Sequence, residues 1–293
     1  MRNKLLFIIL SLFIVNVGTA QLVEVQYEYS SIGDCIFSAH NNAPFPVFLN
    51  IDFADLQNTS FDEDLPYIKK LDPGFNNLFT LQRDLDAEAP RFNYQVKSFR
   101  SNPTAIVNLD FPYLIPFEPG TKVHAKEVTD IDGFWGTEQL KSWIAFGFVA
   151  RPGDKVYAAR QGTVVEVASQ IKGGEPQFWY NTWNNAITVL QPDGTLICYR
   201  NISTKTVKIN QKIYAGQLLG EIAPRSNELK ILIYQNSLDS DDLRFIIPEF
   251  CIGENETEIL NVAKEYTVIH PVTVRGLEMT KKERRKILGK SAR

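Results

Sequence analysis

The sequence predicts an all-β protein built from two consecutive β-domains. Three observations predict it. Val23-Glu24-Val25-Gln26-Tyr27-Glu28-Tyr29 and Phe92-Asn93-Tyr94-Gln95-Val96-Lys97-Ser98-Phe99 alternate apolar with polar residues, the period of half-buried strands. Turn-forming clusters such as Leu71-Asp72-Pro73-Gly74 and Gln191-Pro192-Asp193-Gly194-Thr195 punctuate the chain. Helical periodicity is absent until the basic stretch near the C-terminus.

In chain order, residues 21–108 read as a β-sandwich. A polar turn, His40-Asn41-Asn42, precedes Phe45–Phe53, and a further strand is expected at Leu78–Leu81. Short strands between regular turn signals imply this architecture. Residues 109–120, with three prolines in Asp110–Gly120, read as a linker, because proline fixes φ and discourages regular structure. Residues 121–253 form the second β-domain. Its expected strands are Trp143–Phe148, Val156–Arg160, Gly162–Val167, Ala186–Leu190, Leu196–Tyr199, Lys205–Ile209, Leu218–Ile222 and Leu229–Tyr234. Residues 254–293 read as a C-terminal tail with a solvated basic end, since blocks of like charge stay unstructured.

Residues 1–20 have the three parts of a secretory signal peptide. Arg2 and Lys4 are followed by an apolar run from Leu5 to Val15 and by Gly18-Thr19-Ala20. The run is short for a membrane anchor, which needs about 20 apolar residues. No later stretch is apolar enough to span a bilayer, so the expected locations are periplasmic, cell-envelope or extracellular. The chain of 293 residues carries 31 Lys and Arg against 34 Asp and Glu, and seven of the cations lie in Lys281–Arg293. An acidic body with a short basic end is unlike a nucleic-acid binder, which spreads cations over a folded face. Cys35, Cys198 and Cys251 are an odd set that allows one internal disulfide at most. They read as buried small apolar side chains.

Other motifs add further expectations. The first domain resembles an immunoglobulin-like domain in architecture, without the Cys and Trp marks of true immunoglobulin domains. Pro152-Gly153-Asp154-Lys155-Val156-Tyr157-Ala158-Ala159-Arg160-Gln161-Gly162-Thr163-Val164-Val165 resembles the lysostaphin-like (M23) metallopeptidases, in which a Pro-x-Gly turn leads into V-x-A-A-x-x-G-x-V-V. Asn185–Leu190 with Pro192–Thr195 resembles the hairpin before that family's Y-x-H-L motif. Val207–Gly220 resembles V-x-x-G-Q-x-V-x-x-G-Q-x-I-G. The order of the three segments carries the resemblance, since each alone is a generic β-turn pattern.

The resemblance implies a zinc site held by the His and Asp of H-x-x-x-D and the second His of H-x-H, with the remaining His residues acting on water and the transition state. Aligned on Gly153, the first motif places Trp143 at the His and Gly147 at the Asp. Tyr199-Arg200-Asn201-Ile202 stands for Y-x-H-L, with Asn201 at the His. Glu228-Leu229-Lys230-Ile231 stands for H-L-H-F, with Glu228 and Lys230 at the two His positions. No His lies between His124 and His270, so no shift of alignment restores the set. Catalytic zinc draws three ligands from His, Asp, Glu or Cys. Trp143 and Gly147 offer no donor, and an ammonium beside a dication is repelled by roughly several kcal/mol at an effective dielectric of about 20. The expectation is a degenerate member with no metal, no cofactor and no catalytic residue. Lys230 either fills the space of the missing cation, held by Glu228 and the Asn201 amide, or faces water beside Glu228.

Phe178-Trp179-Tyr180 and Trp183, with Asn181, Asn184 and Asn185 close by, read either as a ligand groove for glycan or peptide or as sheet-capping core. His40 reads as a turn residue. His124, with Asp130 and Asp132, reads as a solvated loop, and His270 has no partner in sequence. Three functional readings follow. The first is an exported, non-catalytic binding or regulatory module acting on peptidoglycan or an envelope protein. The second is an active zinc endopeptidase with unorthodox ligands. The third is an envelope scaffold.

Overall fold

The computed structural model describes residues 22–128, 144–168, 185–204, 206–239 and 243–289. The segment 1–20, Trp143, Asp130, Asp132 and the aromatic cluster 178–183 lie outside them. The regular structure of the described residues is almost all strand, with two short helices, Val272–Arg275 and Lys281–Ile287.

The first half is a sandwich of two sheets. One sheet runs in the order Val23–Tyr29, Cys35–Asn41, Gly74–Arg83, Thr59–Ser60; the other runs Tyr67–Leu71, Val47–Gln57, Arg91–Phe99. The alternation read from the sequence is what closes it, since one face of each strand is apolar. Phe37 stacks on Phe79 at 4.7 Å between centroids and meets Phe53 edge-on at 6.0 Å across the two sheets. His40 is not a turn residue; it continues the strand Cys35–Asn41. The turn is organised one residue later. The buried Asn41 donates from Nδ2 to the carbonyls of Phe45 and Leu71 and accepts from the Ala43 amide at 2.9 Å.

The second half is built on a nine-stranded sheet. Its order is Lys212–Ile213, Gly162–Ala168, Ala186–Leu190, Leu196–Arg200, Glu228–Asn236, Phe146–Val149, Lys122–Glu127, Glu265–Thr267, with Leu243–Phe245 pairing beside Glu228–Asn236. The expected hairpin at Gln191–Thr195 is present. The Gln191 amide donates to the Thr195 carbonyl at 2.8 Å, and Gly194 takes φ +85°. No strand forms at residues 206–209, where a strand was expected; Thr204 and Thr206 hydroxyls both donate to the Leu219 carbonyl and hold that segment as a loop.

Two expected boundaries dissolve. The proline-rich stretch 109–120 is not an exposed crossing, because Phe111, Tyr113, Leu114, Ile115 and Phe117 are all buried. Pro112–Tyr113 pairs in parallel with Glu249–Cys251. The prolines space large apolar side chains along an extended backbone, which suits a core strand end as well as a linker. The tail from residue 254 is likewise part of the body. Glu265–Thr267 pairs with Lys122–Glu127, and Tyr266 and Val268 are buried.

Arg160 fixes the end of the tail. Its guanidinium is 3% exposed, bonds to Asp193 at 2.7 Å and Glu278 at 2.6 Å, and lies 3.8 Å from the centre of the Phe111 ring. His270 has a partner after all: its Nε2 is 3.0 Å from the Ile115 carbonyl. The basic helix Lys281–Ile287 is closed by a Thr280–Glu283 capping box. Its Lys281, Lys282, Arg285 and Lys286 side chains are exposed, whereas Arg284 is half-buried and donates to the Gly276 carbonyl at 2.8 Å, and its one acid docks it further. Glu283 bonds to Lys212 at 2.5 Å and to Tyr214 at 3.0 Å. These contacts, the Lys212 bond foremost, hold its carboxyl down at about 2. Among the described residues no helix is long and apolar enough to cross a membrane.

The two halves share one core. A single apolar cluster runs from Val47, Leu49 and Ile51 of the sandwich to Cys198, Leu232 and Tyr234 of the large sheet. Polar contacts reinforce it. Arg100 bonds to Glu166 at 3.1 Å with both side chains largely buried, and the Ser101 hydroxyl donates to Asn236 at 2.7 Å. The three cysteines are free and buried, in three different apolar clusters. Burial pushes each thiol up to about 11.

Candidate functional site

Strand register brings three of the five positions singled out in the sequence to one place. Gly147 lies opposite Lys230 on one side and opposite Lys126 on the other, while Lys230 lies opposite Arg200. The row across four strands is therefore Lys126, Gly147, Lys230, Arg200. Glu228, two residues before Lys230, faces the same way and sits opposite Val149.

Gly147 decides how this row packs. A Cβ built there would lie 2.9 Å from the Lys126 carbonyl oxygen and 2.9 Å from a Val128 methyl. No side chain fits without moving backbone. With none present, the lysines of the flanking strands converge on one carboxylate. Lys126 Nζ is 2.5 Å from Glu228 Oε2, and Lys230 Nζ is 3.1 Å from Glu228 Oε1. The Glu228 and Lys230 side chains are 14% and 19% exposed and Lys126 is 49% exposed, so the pair is screened from water on one side only. Burial pushes the Glu228 carboxyl up, but the bonds from Lys126 and Lys230 outweigh it and leave it below the ordinary 4.5.

Lys230 is thus held by Glu228, and the two do not simply face water. Asn201 contributes backbone to the fold: it takes φ +67° directly after the strand Leu196–Arg200, and its carbonyl accepts from the Ala223 amide at 2.8 Å. Its amide is not part of the ion-pair chain described for Glu228. Lys126 went unremarked in the sequence. Its signal was the alternation Lys122-x-His124-x-Lys126, which puts three basic side chains on one face of a strand. His124 belongs to that strand, not to a loop, and lies 3.4 Å from Glu265.

The donors around this row do not suit a divalent cation. One position has no side chain, one carries an ammonium already paired, and Glu228, the carboxylate among the described residues of this row, is neutralised from two sides. Among the described residues, no three His, Cys, Asp or Glu side chains converge as a metal site would require. The row can neutralise or receive anionic groups.

The same face continues away from the site under the sandwich. Lys230 and Leu232 alternate onto one side of their strand, and Leu232 is buried in the shared core together with Ala168 and Ala186 at the far end of the Lys230 row. The sandwich covers the sheet up to this row. Among the described residues, the side toward Lys122–Glu127 carries a surface depression of about 380 Å³ lined by Val149, by the basic His124, Arg151 and Lys155, and by the acidic Glu118 and Asp154.

The model of Peptidase family M23 matches residues 143–241. Among solved structures, the antimicrobial peptidase lysostaphin from Staphylococcus simulans is 22% identical over 38% of this chain and 45% of its own, with a TM-score of 0.27. The M23 metalloprotease pseudoalterin, from the deep sea, is 15% identical over 55% of this chain and 97% of its own, with a TM-score of 0.34. The SpoIIQ–SpoIIIAH pore-forming complex matches at 16% identity over 46% of this chain and 89% of its own, with a TM-score of 0.28. The chain spans less than half the length of lysostaphin. No curated protein matches it. Within the second half of this chain, residues 143–241 are thus similar to peptidase family M23.

Proposed function

We propose that this chain is an exported, non-catalytic M23 domain protein that binds peptidoglycan or an envelope protein in a bacterial cell envelope. One observation carries the reading. Glu228 and Lys230, which stand at the H-x-H positions, form an ion-pair chain with Lys126 above a glycine that stands at the metal-binding Asp. A zinc site needs the opposite electrostatics, with anionic or neutral donors turned toward a cation. Trp143 and Asn201 complete the substituted set. The open side of the row and the aromatic residues Phe178, Trp179, Tyr180 and Trp183 are the parts assigned to binding. Export rests on the charged, apolar and small-residue order of residues 1–20.

The test has two arms. Metal analysis of the purified protein should find no stoichiometric zinc, and incubation with sacculi should release no muropeptides; near-unit zinc with release would establish the peptidase reading instead. Co-sedimentation with sacculi or cross-linking to envelope proteins should retain the wild type and lose Trp179→Ala. Absence of any bound polymer or protein would leave the scaffold reading.

A further inference from the structure

The sandwich leaves two strand edges open beside each other. Val23–Tyr29 ends one sheet and Arg91–Phe99 ends the other, and among the described residues neither has a neighbour on its outer side. Such edges are templates for added strands unless they are covered, interrupted or charged against pairing. Both are long, and the seam between them is aromatic and half open. Tyr27 and Tyr29 are 48% and 49% exposed. The Tyr27 ring meets Phe92 at 5.0 Å and Tyr94 at 6.5 Å, and the Tyr29 hydroxyl donates to the Pro90 carbonyl at 2.8 Å.

These contacts fix direction and level. Going from Tyr27 to Tyr29, the facing residue moves back from Phe92 and Tyr94 to Pro90, so the two edge strands run antiparallel. A twofold axis along the seam, parallel to the strands, preserves that direction and exchanges the sheets. It sets the first edge of one copy against the second edge of another, antiparallel, and does so twice. Each sheet then continues into the partner's opposite sheet.

Charge selects this occupant. Glu24, Gln26 and Glu28 point outward on one strand, and Arg91, Asn93, Gln95 and Lys97 point outward on the other. At the levels set by Tyr27, Glu28 meets Arg91 or Asn93 and Glu24 meets Gln95 or Lys97. Pairing the first strand with itself would set Glu against Glu, which is unfavourable across strands. Within one chain Arg91 bonds to Glu88 and Glu24 accepts from Asn42, both at exposed positions where exchange of partner costs little.

We propose that a second copy of this chain is the partner of these edges, giving a twofold dimer in which the two sandwiches form two continuous sheets. The inference is independent of the function proposed above. Sedimentation of the purified protein should give twice the chain mass. Glu24→Lys with Glu28→Lys should sediment at the single-chain mass, and so should Arg91→Glu with Lys97→Glu. Mixing these two double variants should restore the dimer, because each then offers the edge the other needs. A wild type of single-chain mass at high concentration overturns the proposal. So does a dimer that both reversals leave intact. Circular dichroism of each variant separates loss of pairing from loss of fold; if both variants unfold, backbone amide exchange of the wild type decides, since open, fast-exchanging edges in residues 23–29 and 91–97 count against the dimer.

Discussion

Replacing Glu228 by Gln keeps the shape of the side chain and removes the one negative charge among Lys126, Lys230 and Arg200. Two bonds change. The Lys230 bond joins side chains less than a fifth exposed, whereas the Lys126 bond reaches a half-exposed ammonium. Breaking a fully buried pair from one side costs about 3–5 kcal/mol, and an exposed pair is worth about 0–1 kcal/mol. The Glu228 site lies between these limits, so we expect a loss of about 2 kcal/mol, most of it through Lys230. For a chain of this size, with an unfolding entropy of about 2.1 cal/mol/K per residue, that corresponds to a fall in Tm of roughly 3–4 °C. Thermal unfolding at neutral pH and low salt measures it. Lys230→Met should cost more than Lys126→Met, following their exposures. The double variant Glu228→Leu/Lys230→Met should recover most of the loss, because an apolar pair of similar volume leaves no uncompensated charge. The pH dependence has a definite sign. A carboxyl held below its ordinary 4.5 in the fold contributes stability above that value and loses it as pH falls further. The difference between wild type and Glu228→Gln should therefore shrink below pH 4.5. A Tm change within error for Glu228→Gln, or a larger cost for Lys126→Met than for Lys230→Met, would refute the reasoning.

Three further outcomes follow from the packing. Arg160→Met leaves Asp193 and Glu278 without their cation in a buried setting and should cost about 3–5 kcal/mol by urea unfolding, with new protease cleavage after residue 276 as the end of the chain detaches. His270 is kept neutral chiefly by burial, with Arg275 adding to the effect; a His held below its ordinary 6.5 loses stability to the unfolded chain as pH falls through that value. Docking of residues 272–287 should loosen below pH 6.5 in hydrogen exchange, and the pH dependence should be weaker in His270→Asn. Cys35, Cys198 and Cys251 should resist an aqueous thiol reagent in the folded protein and all react once it is unfolded, as expected of buried thiols held at about 11.

Local patterns made the strands legible. Val23–Tyr29 and Arg91–Phe99 were readable because one face meets aromatic core and the other water, and Gln191–Thr195 because Asp and Gly stand where the turn needs them. The errors share a cause. Phe111–Phe117 reads as a linker by its prolines, while its five large apolar side chains need a core. Residues 254–289 looked like a tail because their anchors are long-range: Glu278 on Arg160, Tyr266 on the strand holding Val123, and His270 on the Ile115 carbonyl. No local window contains both ends of such contacts. At the candidate site, the lack of any His between His124 and His270 is legible by counting. The convergence on Glu228 is not, because Lys126 is placed by a register across three strands.

That register bears on whether a metal site could be installed here. Installing His at positions 201, 228 and 230 would supply imidazoles, but the Asp position remains. At Gly147 any Cβ lands 2.9 Å from the Lys126 carbonyl oxygen, inside the contact limit of real side chains. The clash is with backbone, which a rotamer change cannot relieve. For an Asp at 147 the strand Lys122–Glu127 must move, and that strand is paired on its other side to Glu265–Thr267. The close approach of the two strands at Gly147 thus bars a carboxylate at that position unless the sheet shifts. A variant carrying all three histidines with Gly147→Asp should either fail to bind zinc at unit stoichiometry or bind it only with loss of the Glu265–Thr267 pairing, seen as faster amide exchange there. Stoichiometric zinc with that pairing intact would show that the glycine is incidental.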